Sequence, residues 1–270
     1  MPPPIVPDLR GRLTAGEFLV GTWLTLLEPS VAELLAGSGY DFLVADMEHG
    51  AIDAANLQAL CIGARAGGSR GETAGETAGE TAVLARIGAN EPVRIMHALD
   101  VGAAGVIVPQ IRSVADVERA VGWCRYPPMG LRGAAARRQS GYGRQARQYF
   151  DAANESVLCC VQIETHEALD SLDAILAVPG VDALLIGPSD LAAALGHLGD
   201  PGHPEVEAAV DEIRSRALAA SRPVGIVSAS PEATPAVVRR RQGFSFVTVG
   251  VDFAFMASGA DAALAAVRAG

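Results

Sequence analysis

Eight short β-rich runs recur along the chain, most of them followed by a segment of helical periodicity, and this alternation limits the fold more than any other feature. The runs are Phe18 to Leu26, Asp41 to Asp46, Ala82 to Ile87, Ala104 to Pro109, Ser156 to Glu164, Asp182 to Gly187, Pro223 to Ser228 and Phe244 to Gly250. Between them lie "SVAELLAG", "DAANLQALCIGARAG", "SVADVERAVGWC", "HEALDSLDAILAV" and "PEVEAAVDEIRSRALAA", with "AALAAVRA" closing the chain. Strands that alternate with helices must run parallel, because each crossover returns the chain to the same edge. The pattern predicts an α/β protein, a single-domain (β/α)8 TIM barrel over residues 1–270. A doubly wound open sheet is the alternative, but no GxGxxG follows the first run.

Two segments interrupt the rhythm. "GETAGETAGETA", at 71–82, is a low-complexity insertion between the second helix and the third strand, too short and polar for a solenoid unit and read as a surface loop. The stretch at 125–147, "RYPPMGLRGAAARRQSGYGRQAR", is a long arginine-rich loop, suited to anion contacts or to a solvated face.

Half the residues are apolar, enough for one large core. The formal net charge of -10 argues against nucleic acid and anionic membrane surfaces, which require a basic face. The opening "MPPPIVPDLRGRL" has no apolar signal region and no later run is long enough to span a bilayer, so a cytoplasmic protein is expected. Cys61, Cys124, Cys159 and Cys160 lack metal-ligand spacing and read as buried thiols. All 21 basic residues are arginine. Schiff-base chemistry on a lysine is thereby excluded.

In such a barrel the active site lies where the strands end. The second strand ends on Asp46, Glu48 and His49, the third on Arg86, the fifth on Gln162 and Glu164, and Asp190 stands just beyond the sixth. Glu164 and Asp190, carboxylates from adjacent strands in oxygen-rich surroundings, suit a hard divalent ion such as Mg2+ or Mn2+; a salt bridge or helix cap is the alternative for each. His49 reads either as a rim histidine or as an acid/base group with one ring nitrogen held by Asp46. Glu48 is open to either side of the barrel wall. Arg86 ends an apolar strand and calls for an anion, from substrate or from the rim acids. His97, His166, His197 and His203 carry no assigned chemistry.

Several of these stretches occur together in one known family. "GTWLTLLEPSVAELLAGSGYDFLVADMEHG", "VLARIGANEPVRIMHALDVGAAGVIVPQI", "RYPPMGLRG", "VQIET", "IGPSDLAAALG", "HPEV" and "VGVD" resemble, in order from Gly21 to Asp252, the class II pyruvate aldolases of the HpcH/HpaI family, of the 4-hydroxy-2-oxoheptanedioate and 2-dehydro-3-deoxyglucarate aldolase type. The resemblance implies a carbon-carbon lyase that cleaves or forms 4-hydroxy-2-oxo acids from an aldehyde and a pyruvate or hydroxypyruvate enolate. It also implies a divalent metal (Mg2+, Mn2+ or Co2+) on Glu164 and Asp190, and Gln162 and the amides around Ser189 beside the substrate. Arg86 becomes substrate-binding and catalytic, Asp46 and His49 the acid/base pair, and Trp23 and Asp100 lining or supporting residues, Asp100 from a neighbouring subunit of a homohexamer. Ala89 stands where the family often has tryptophan, and the GETA repeat lengthens a shorter connection. A citramalyl- or malyl-CoA-type lyase, a phosphoenolpyruvate-type transferase and a non-catalytic metal-dependent binding protein are the alternatives.

Overall fold

A computed structural model describes residues 6–68 and 80–269. Eight parallel strands close into a barrel in sequence order: β1 (Leu19–Leu24), β2 (Phe42–Asp46), β3 (Ala82–Arg86), β4 (Gly105–Val108), β5 (Leu158–Ile163), β6 (Ala183–Ile186), β7 (Val224–Ile226) and β8 (Phe246–Val251). Each of the first seven predicted runs contains its strand, and β8 extends one residue beyond the eighth, to Val251. Helices α2 (Pro29–Gly37), α3 (Ala54–Gly68), α4 (Pro92–Asp100) and α5 (Val114–Cys124) follow the first four strands. After β5 come α7 (His166–Asp170) and α8 (Leu172–Leu176); after β6, α9 (Pro188–Ala194) and α10 (Pro204–Ala219). α11 (Ala233–Arg241) follows β7 and α12 (Asp252–Ala269) follows β8.

Strand side chains alternate between barrel lumen and helical layer. Leu19, Trp23, Phe42, Val44, Leu84, Ile107, Leu158, Cys160, Leu185 and Phe246 form the inner cluster, whereas Leu43, Ala45, Val106, Val161, Leu184 and Val247 pack outward against the helices. Room in the lumen is tight. A Cβ on Gly21 would lie 2.3 Å from the Phe42 ring and one on Gly225 2.2 Å from the Phe246 ring, so two glycines admit two phenylalanines, which meet edge to face at 6.0 Å.

The segments read as helical from the sequence did not include α4, α9 and α11, nor two further helices that stand outside the alternation. α1 (Leu9–Thr14) is capped by Asp8 and adds Leu9 and Leu13 to the inner cluster; Arg10 pairs with Asp182 at 2.7 Å and Arg12 with Asp41 at 2.6 Å. α6 (Ala146–Ser156) takes up the end of the arginine-rich segment. That segment is not wholly solvated, because three of its arginines are buried in internal bonds. Arg125 meets Asp182 at 2.6 Å, Arg132 meets Asp100 at 2.8 Å beside the rings of Tyr126 and Tyr149, and Arg138 donates to the carbonyls of Val101 and Cys61. Arg137, Arg144 and Arg147 remain exposed. Most of the GETA insertion lies outside the described residues; Glu80, where description resumes, pairs with Arg65 at 3.6 Å.

The four cysteines are free and buried, as their spacing suggested, and burial pushes the Cys61 thiol up to about 12. Among the described residues no helix is long and apolar enough to cross a membrane.

Candidate active site

The alternation that builds the inner cluster also sets the site. Continuing the lumen positions toward the C-terminal ends of the strands replaces apolar side chains with Asp46 on β2, Arg86 on β3, and Gln162 and then Glu164 on β5. A cavity of about 640 Å³ opens there, lined by Trp23, Asp46, His49, Arg86, Gln162, Ser189 and Asp190 among others.

Asp46 and Arg86 are direct partners in the β2–β3 register. Arg86 Nε donates to Asp46 Oδ1 at 3.0 Å and Nη2 to Oδ2 at 2.7 Å, a planar two-bond pair in a buried setting. Its Nη1 lies 3.3 Å from Glu48, and its guanidinium carbon sits 4.5 Å from the Trp23 ring centre. Trp23 is fixed by donating to Thr248 Oγ1 at 2.9 Å. The guanidinium is thus held on two edges and one face.

This corrects one expectation. Asp46 does not hold the His49 ring: besides Arg86, Oδ1 accepts the backbone N–H groups of Glu48 and His49, each at 3.2 Å, which folds the chain after β2 into a turn. The carboxylate near the ring belongs to Glu48, 3.9 Å from His49 Nε2. Glu48 itself faces the site, with its side chain 13% exposed and Oε2 without a hydrogen bond. The chain leaves strand geometry after Asp46, so two-residue alternation no longer tells inside from outside at Glu48. His49 stands at the cavity mouth with its side chain 65% exposed.

Glu164 is 1% exposed. Its Oε1 accepts from Gln110 N–H at 2.8 Å and from Gln110 Nε2 at 3.2 Å, and its Oε2 accepts from Gln162 Nε2. Burial pushes its carboxyl up to about 7, with the charges of Asp190 and Glu48 adding to the effect and the bonds from Gln110 and Gln162 opposing it. Asp190 reaches the site from the first turn of α9. Gly187 makes this approach possible, since a Cβ there would lie 2.8 Å from Glu164 Oε2 and 3.0 Å from Gln162 Nε2. Gln162 Oε1 is buried without a partner. Glu164 and Asp190, whose charges repel each other, stand near the orphaned Gln162 amide oxygen, and oxygen donors of this kind suit a hard divalent cation.

One residue named from the sequence lies outside this cavity. Asp100, at the end of α4, accepts from Arg132 Nη2 at 2.8 Å and Gln139 Nε2 at 3.3 Å, and does not line the cavity of its own chain. The site also includes residues that the sequence did not single out. Gln110 is one, and the only signal is conformational: its φ of 54° is unusual for a residue other than glycine and aims its N–H at Glu164. An apolar wall of Val227, Ala229, Val251 and Phe253 is the other.

The HpcH/HpaI aldolase/citrate lyase family model matches residues 19–258. The chain is 39% identical over 250 residues to a 2-dehydro-3,6-dideoxy-6-sulfogluconate aldolase from Pseudomonas putida, and 35% identical over 250 residues to a 5-keto-4-deoxy-D-glucarate aldolase from Shigella boydii; each alignment covers 92% of both proteins. An HpcH/HpaI aldolase/citrate lyase family structure from Burkholderia cenocepacia superimposes with a TM-score of 0.87 at 36% identity, covering 97% of this chain and 100% of that one. The chain therefore belongs to the HpcH/HpaI aldolase/citrate lyase family and is an aldolase, a carbon-carbon lyase.

Proposed function

We propose that the cavity is the active site of a metal-dependent aldolase that interconverts a 4-hydroxy-2-oxo acid with an aldehyde and a 2-oxo acid such as pyruvate or hydroxypyruvate. The observation that carries this is the approach of two carboxylates, Glu164 and Asp190, near enough to repel each other, at the strand ends that also hold a guanidinium fixed by Asp46. Glu164 and Asp190 would hold a divalent ion, Mg2+, Mn2+ or Co2+. When bound, it supplies the Lewis acidity that stabilises an enolate.

Arg86 provides a preorganised positive charge beside the developing enolate or the substrate carboxylate, and its fixed orientation removes a reorganisation cost at the moment of reaction. Gln162 presents its unpartnered Oε1 to the same space, and Ser189 lies at its edge. In the cleavage direction His49 accepts the proton of the C4 hydroxyl, the C3–C4 bond breaks, C4 leaves as the aldehyde carbonyl, and the electron pair stays on the 2-oxo acid fragment. A proton added to C3 completes the product; synthesis runs the steps in reverse. Glu48, 3.9 Å from the ring, would orient the imidazole, and Asp46 would act through Arg86.

The named relatives act on keto-deoxy sugar acids, one of them sulfonated. A polyhydroxylated 2-oxo acid is accordingly the proposed substrate class, with Val227, Ala229, Val251 and Phe253 flanking the aldehyde end. A homo-oligomer, hexameric as the family resemblance implies, is supported by the exposed Phe253, Met256, Leu264 and Val267 on α12, and Asp100, at the end of α4, would serve a neighbour's site as that resemblance implies. A cytoplasmic location accompanies this proposal.

The test offers metal-stripped protein pyruvate or hydroxypyruvate with a panel of aldehydes, before and after adding Mg2+, Mn2+ or Co2+. Full activity after exhaustive metal removal, checked by elemental analysis, would sink the proposal.

A further inference from the structure

A cluster of side chains of metal-ligating types lies on the loop between α9 and α10 and in the first turn of α10, outside the cavity described above. His197 and His203 stack with ring centres 3.5 Å apart and planes 17° from parallel. His197 Nε2 lies 2.8 Å from Glu205 Oε2. His203 caps α10, its Nδ1 accepting the backbone N–H of Glu205 at 3.3 Å. One ligand atom from each of the three residues falls within 4.8 Å of the others. The stretch "GHLGDPGHPE" supplies all three within one loop and the first turn of a helix, so ligation closes only a short loop. The side chain of His197 is 24% exposed and that of Glu205 62%, which leaves an entry path from solvent.

We infer that His197, His203 and Glu205 form a second metal site, selective for a borderline ion such as Zn2+, Ni2+ or Co2+. The selectivity follows from the donors. Imidazole nitrogen suits these ions and is a poor ligand for Mg2+, whereas the Glu164–Asp190 set offers only oxygen. The ion takes the place of the proton between His197 Nε2 and Glu205 Oε2, and that imidazole then carries its hydrogen on Nδ1. His203 already directs an unprotonated lone pair at Glu205, and the ion replaces the long 3.3 Å bond to the helix amide. Two protein nitrogens and one carboxylate leave room for water in the remaining position.

The test separates this site from the catalytic one. In the E164Q/D190N variant, Zn2+ followed by isothermal titration calorimetry should still bind at one ion per chain and raise the Tm, and excess Mg2+ should not displace it. Adding His197→Ala should abolish both effects, as should His203→Asn, because asparagine retains the helix cap and lacks the imidazole. In the otherwise unaltered protein the same single substitutions should lower Zn2+ stoichiometry by one ion and leave Mg2+-supported activity unchanged. No Zn2+ uptake by E164Q/D190N, or uptake that survives loss of both histidines, would overturn the assignment. Stoichiometry in the otherwise unaltered protein decides the matter if the double variant fails to fold.

Discussion

Asp46 and Arg86 face each other across the β2–β3 pairing and join through two hydrogen bonds of 3.0 and 2.7 Å. Strand register, which packing of the inner cluster enforces, thereby fixes the position of the site's guanidinium.

Asp46→Asn should loosen Arg86 without emptying its place. If enolisation and aldol cleavage both depend on that guanidinium, as proposed, both should fall together. Breaking one partner of a buried pair costs on the order of 3–5 kcal/mol, and a lowered Tm should accompany the loss. Pyruvate methyl-proton exchange and cleavage rates, measured on the same preparation, check this; a defect confined to cleavage would return Asp46 to the imidazole.

Arg86→Ala should lower kcat/KM for pyruvate by about 100- to 1000-fold, the usual effect of removing one preorganised electrostatic donor. Steady-state kinetics at a fixed aldehyde concentration measure it. An unchanged kcat/KM would reduce Arg86 to a structural partner of Asp46.

Metal affinity should fall in acid. The Glu164 carboxyl is raised to about 7, so a proton competes with the cation below that pH and the apparent affinity weakens as pH drops. For the metal-free protein the sign follows from the same shift. A carboxyl whose pKa is higher in the folded than in the unfolded state makes stability decline as pH rises from the ordinary value of 4.5 toward about 7. Saturating Mg2+ should flatten that decline. Titration calorimetry and thermal melts between pH 5 and pH 8 test both; metal affinity independent of pH in Glu164's range would contradict the assignment.

The barrel and most of the rim were legible because both follow a two-residue period: apolar runs mark the strands, and polar groups at their ends mark the site. Legibility stops where the backbone leaves that period. Glu48 follows the end of β2, Gln110 depends on a left-handed backbone, and Asp100 and the arginine-rich segment meet across a distance in sequence that no local pattern encodes. Asp46 was placed correctly at the rim. Its partner was not, because register decides whether a carboxylate meets the residue three positions on or the arginine of the next strand.

Gly187→Ala should weaken metal binding while preserving the barrel. The added Cβ would press on Glu164 Oε2 and Gln162 Nε2, and overpacking of this kind typically costs about 1–3 kcal/mol. Mg2+ titration against the unsubstituted protein reads the effect. Unchanged affinity would show that Glu164 and Gln162 have freedom to retreat.

His49→Ala separates the two halves of the reaction. If the imidazole serves the aldehyde-derived oxygen while Arg86 and the carboxylate-held metal serve the enolate, aldol cleavage should drop by about 100- to 10,000-fold, the range for a general acid-base group, with pyruvate methyl-proton exchange largely retained. Exposure of the His49 side chain at 65% makes a folding defect an implausible cause, and an unchanged Tm should confirm it. Glu48→Gln should give a smaller cleavage defect of the same kind, since it alters the carboxylate 3.9 Å from the ring and leaves the ring in place. Exchange followed by proton NMR in deuterated water, beside cleavage in the same buffer, decides the matter. Equal losses in His49→Ala would assign the histidine to enolisation and remove the division of labour between the cavity mouth and its floor.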